Sequence, residues 1–139
     1  MTFRFAALPA LALPAIALIA APAAAQAPNW AKGTQITVTM TNKGYAPRRI
    51  TMRQGAQYVL RLRNPSDRAH TFAAKEFFAQ ARISPRDQGL IPRNEVVLKP
   101  GRSATLHIVA PTTPNALYTF KSTRIQDAAS DFKGEIVVR

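Results

Sequence analysis

Two histidines, seven carboxylates and no cysteine bound the chemistry open to this chain. Without a thiol there is no disulfide framework, no thiolate nucleophile and no sulfur anion to hold a soft metal. His70 has the most to offer. It opens the segment His70-Thr71-Phe72, just beyond the turn-forming Asn64-Pro65-Ser66-Asp67, and an imidazole there can ligate a metal or hydrogen-bond a loop carbonyl. Ser66, Asp67 and His70 are the three residue types of a nucleophilic triad, yet a triad is assembled across a fold, not by three neighbours sharing one turn. There is no glycine-rich phosphate loop or dinucleotide fingerprint, so the expectation is a protein that is not an enzyme. His107 stands between Leu106 and Ile108; if those two are core, its ring points outward into solvent. Met40 and Met52 fall on apolar faces, where methionine packs more often than it ligates. Glu76 lies six residues after His70 and could reach back toward it.

The segments that must position these residues read as strands. Gln35 to Thr41 sets Ile36, Val38 and Met40 on one face and threonines on the other; Ile50 pairs with Met52; Tyr58, Leu60 and Leu62 alternate with Val59, Arg61 and Arg63. That period of two is the pattern of a half-buried strand, and it turns Arg61 and Arg63 toward water. Val96 to Leu98, Ala104 to Val109, Leu117 to Phe120 and Gly134 to Val138 continue the series, separated by turns such as Lys99-Pro100-Gly101. Only Lys75 to Arg82 suggests a helix, with Phe77, Phe78 and Ala81 on one side. Ile83 to Arg93, with two prolines and a glycine, reads as a surface loop.

Residues 1–25 have the layout of an export signal: Arg4, an apolar run from Phe5 to Ile19, then the small residues Ala20 to Ala25. The run is too short and too broken by Pro9 and Pro14 for a membrane span. Cleavage there leaves residues 26–139, the size of one domain, and a periplasmic location follows. The whole chain carries 19 Lys and Arg against 7 Asp and Glu, a net charge of +12. After the signal, arginines outnumber lysines twelve to six, which suits forked contacts with carboxylate or phosphate. An acidic protein or an anionic surface is the partner such a charge favours, and the exported setting argues against nucleic acid.

Five short motifs in order give the chain its resemblance to the bacterial periplasmic cupredoxins. They are Gly44-Tyr45-Ala46-Pro47 with Ile50 and Gly55, Leu60-Arg61-Leu62-Arg63-Asn64 leading to His70-Thr71-Phe72, Leu98-Lys99-Pro100-Gly101, Tyr118-Thr119-Phe120, and Gly134-Glu135-Ile136-Val137-Val138. The resemblance implies an all-β, cupredoxin-like Greek-key β-sandwich of seven to eight strands, two stacked antiparallel sheets, and one short helix. It also implies a copper site of two histidine nitrogens, a cysteine sulfur and a weak axial methionine. Only His70 has a counterpart there. The cysteine position falls on Ser122, the axial methionine position near Phe132, and Thr123 to Asp131 contains no histidine, which excludes a blue-copper electron carrier. By the same analogy His70 faces the loop holding Asp127 and Asp131, so one nitrogen and one or two carboxylate oxygens can be drawn as a residual site for Cu(II) or another divalent metal. Two functions stand open at this point: a periplasmic binding module with an altered metal site at His70, or a metal-free interaction protein docking through Arg48, Arg49, Arg53, Arg61 and Arg63.

Overall fold

Alternation decides the strands, and the computed structural model, which describes Ala20, Ala21 and residues 26–139, shows ten of them. The expected export signal lies outside the described residues except for its two alanines, Ala20 and Ala21. The strands are β1 (Thr34–Thr41), β2 (Gly44–Ala46), β3 (Arg49–Met52), β4 (Gln57–Arg63), β5 (His70–Ala73), β6 (Arg82–Ile83), β7 (Glu95–Leu98), β8 (Ser103–Val109), β9 (Ala116–Lys121) and β10 (Lys133–Val138), with the helix α1 (Lys75–Gln80) between β5 and β6. In β4, β8 and β10 every second side chain is buried, as are Val38 and Met40 of β1 with Ile36 half-buried, and these residues form one apolar core between two five-stranded sheets, β2-β1-β4-β8-β6 and β3-β10-β9-β5-β7. Fully buried Phe72, Phe77, Phe120, Leu60, Leu62 and Ile136 are among its largest members.

The two strands beyond the expected eight are short. Gly44–Ala46 turns back on β1, and Arg82–Ile83 adds to β8 where a helix end was expected. The helix stops at Gln80 because the chain becomes extended at Ala81, which lets Ile83 enter the core. Ile83 to Arg93 is correspondingly not one irregular loop but the end of β6 followed by two 3-10 turns, Pro85–Leu90 and Pro92–Asn94, the first of which buries Asp87.

Nor are the sheets purely antiparallel. β1 runs parallel to β4, and β3 parallel to β10. The cause is connectivity: after the β1–β2 hairpin the chain crosses between sheets at almost every step, and it pairs consecutive strands again only at β9–β10. These crossings bring the loops 42–43, 64–69, 99–102 and 122–132 to one end of the sandwich. Gly134 is required there for space. A Cβ at this position would collide with the ring of Phe120 and stand 2.7 Å from the Arg48 carbonyl oxygen.

Candidate functional site

His70 begins β5 at that end, and the strand period that buries Phe72 also buries His70, which has no exposed surface. Its partner comes from the loop between β9 and β10. This loop is closed at its base by the Ser122 N–H donating to the Phe132 carbonyl at 3.1 Å, and a 3-10 turn, Ile125–Asp127, swings Asp127 inward until it is 2 % exposed. His70 Nδ1 lies 3.0 Å from Asp127 Oδ1 and 2.9 Å from Oδ2. The carboxylate accepts, so the proton sits on Nδ1. His70 Nε2 is buried without a hydrogen-bond partner among the described residues, and the Phe132 ring stacks on the imidazole at 4.5 Å and 23°.

A chain of hydroxyls continues from this pair. Ser122 Oγ donates to Asp127 Oδ2 and accepts from the Arg124 N–H at 3.3 Å. Thr71 Oγ1 lies 3.2 Å from Ser122 Oγ and accepts from the Thr123 N–H at 2.7 Å. Thr123 Oγ1 donates to Glu95 Oε1 at 2.6 Å. Tyr45 donates its phenol to the Thr71 carbonyl from a cage of Phe72, Phe120 and Phe132 rings, each packed edge to face. Burial pushes the Tyr45 phenol well above its ordinary range, and the Asp127 and Glu95 carboxylates act in the same direction.

The expected donors therefore separate. His70, Ser122, Asp127 and Phe132 converge as expected, whereas Asp131 does not join them: it is exposed and held by Arg48 at 3.1 Å. Glu76 is exposed on α1 and does not reach His70. Met40 and Met52 are core. Ser66 donates to Asn64 Oδ1 at 2.6 Å and Asp67 accepts from Asn42 at 2.9 Å, so both are drawn away from His70 and no triad forms. His107 is on the outer side of β8 but is not simply solvated. Its side chain is 21 % exposed, and both its backbone N–H and Nδ1 meet Asp87 Oδ2 at 2.8 Å. Sequence reasoning missed the partner roles of Thr71, Thr123, Glu95, Tyr45 and Asp87. The hydroxyl pair Ser122-Thr123, directly after β9 and five residues before Asp127, was the one local hint.

A copper centre of the kind the resemblance implies does not fit these residues. The sulfur positions are a hydroxyl and a phenyl ring, the one imidazole donates Nδ1 to a carboxylate, and among the described residues no group of three His, Cys, Asp or Glu could hold an ion. One nitrogen and one carboxylate fall short of the three or four protein ligands of an ordinary transition-metal site.

Comparison with known structures supports the architecture. Reduced auracyanin from the photosynthetic bacterium Roseiflexus castenholzii is similar over 77 % of this chain and 98 % of its own, at 20 % identity and a TM-score of 0.56. The McoA multicopper oxidase of Aquifex aeolicus is similar over 82 % of this chain at 12 % identity and a TM-score of 0.57. A multi-copper oxidase from Pediococcus acidilactici is similar over 75 % at 16 % identity and 0.54. The chain spans only 31 % and 25 % of the two oxidases, and at these identities the likeness speaks for the fold alone. No curated protein matches in sequence. The model of the cupredoxin-like domain does match, over residues 10–138, and with the sandwich and its loop-bearing end as described, the chain belongs to the cupredoxin-like domain family.

Proposed function

We propose that this protein is an exported, non-catalytic binding module that has exchanged the metal site of its fold for a hydrogen-bonded lock and works through its basic surface on an anionic partner. One observation carries the reading: His70 Nδ1 is engaged by both oxygens of a buried Asp127, under a stacked Phe132. A histidine held this way fastens the 122–132 loop to β5. The net charge of +12 supports the second half of the reading, as does the placement of Arg53, Arg61 and Arg63 on the surface. Among the described residues no helix is long and apolar enough to cross a membrane.

Calorimetric titration with Cu(II) and with Zn(II) tests the first half. The expected result is no stoichiometric binding and no intense visible band with copper. A stoichiometric site lost in His70→Ala would overturn it. For the second half, the protein should be retained on immobilised polyglutamate at low salt and released as ionic strength passes about 0.15 M, where the screening length falls to ~8 Å. Absence of retention, or retention indifferent to salt, would sink that half.

A further inference from the structure

We infer that the outer face of the first sheet is a docking surface for an anionic membrane, with Arg61 and Arg63 receiving the lipid phosphates. This rests on the reading of the chain as a basic binding module and adds the face and the ligand. β4 is the central strand of its sheet, between β1 and β8, and Arg61 and Arg63 are its exposed outward residues. In register, Arg61 lies between Thr37 and Thr105, and Arg63 between Thr39 and Ser103. Every one of these neighbours is short and hydroxylated. Two arginines whose Cα atoms are about 7 Å apart along the strand therefore stand among shorter polar side chains in their own rows.

A carboxylate directly across the ladder is the usual way to quiet a cation on a sheet, and neither arginine has one. Among the described residues the acids go elsewhere. Asp131 and Glu135 hold Arg48 and Arg49, at 3.1 and 3.3 Å, so two of the five surface arginines singled out from sequence are already paired. The other sheet keeps a groove of about 530 Å³ lined by Arg48, Arg49, Lys121, Lys133 and Glu135 among others; its two arginines are the ones already held by carboxylates, which leaves the two lysines, facing each other across β9 and β10. Glu135 sits on the same face of β10 as Lys133, and lysine lacks the fork that binds two phosphate oxygens in parallel.

The composition of the arginine face also selects the occupant. Protein interfaces are organised around apolar and aromatic anchors seated in pockets, and the rows through Arg61 and Arg63 offer arginine, hydroxyls and, at the β2 edge, only the small Ala46. A cationic sheet face without apolar anchors suits a polyanionic surface, where electrostatic attraction supplies the binding.

The test is co-sedimentation of the purified protein with vesicles of phosphatidylcholine containing about 30 % phosphatidylglycerol, against pure phosphatidylcholine. The wild type should bind the first and not the second. R61Q/R63Q should lower the partition coefficient about thirtyfold, since both charges lie at the membrane surface. K121Q/K133Q removes the same charge from the opposite sheet and should lower it less than about threefold. Equal losses in the two variants, a loss confined to the lysine variant, or an unchanged R61Q/R63Q would each overturn the inference. If the wild type ignores anionic vesicles yet is retained on polyglutamate in a salt-dependent way, the membrane assignment falls while the binding-module reading stands.

Discussion

Asp127 is the residue on which the lock depends, because it satisfies two donors at once, His70 Nδ1–H and Ser122 O–H. Removing one partner from a buried polar pair costs more than the pair contributes, since the survivor stays dehydrated and unpaired. Asp127→Ala should therefore lower unfolding free energy by about 3 kcal/mol, read from urea denaturation; a change too small to measure would show that the network is slack. Tyr45 makes a separate prediction. Its phenol is raised in the folded state, so folding favours the neutral form. The resulting stability is complete below the ordinary phenol value of about 10 and is lost as pH climbs above it. Stability measured from pH 8.5 to 11.5 should fall less steeply in Tyr45→Phe than in the wild type, and parallel slopes would refute the assignment.

At the scale of elements, the 3-10 turn Pro85–Leu90 is fastened to β8 by one carboxylate. Asp87 accepts from the His107 N–H and lies against its ring nitrogen, while the Ser84 N–H donates to the His107 carbonyl at 2.9 Å. Asp87→Ala should loosen this turn and β6 without melting the sandwich. The expected outcome is a loss of about 1–2 kcal/mol and faster amide exchange at His107, with β9 and β10 unaffected; slowed or unchanged exchange at His107 would contradict it. The strands themselves were largely readable from their period of two, as in β1, β4 and β8. β2 and β6 were not, because two or three residues carry no periodicity and form strands only through the neighbour they pair with. Asp87 escaped notice for the same reason: a carboxylate beside prolines reads as loop until the fold sets a strand amide in front of it.

For the whole molecule, one core and no thiol imply a fold that stands on packing and hydrogen bonds. Thermal unfolding is expected as a single cooperative transition whose midpoint is unchanged by chelator or by reductant. A fall in the midpoint with chelator would mean that an ion contributes to the folded state and that the His70–Asp127 pair is not sufficient to hold the loop. The charge distribution also belongs to this scale. The net charge could be counted from the residues, but its division into a paired set near β3 and β10 and an unpaired set on β4 depends on which strands lie side by side.

The sequence by itself determined the all-β class, the inward and outward faces of the long strands, and the loss of the sulfur donors. These are properties of residue type and local period, which act over a few positions along the chain. Only the tertiary structure decided that Asp127 and not Asp131 meets His70, that Phe132 lies on its ring, and that among the described residues Arg61 and Arg63 have no carboxylate partner while Arg48 and Arg49 do. Each of those outcomes depends on which residues far apart in the chain the crossings between sheets bring together, a proximity that no local pattern encodes.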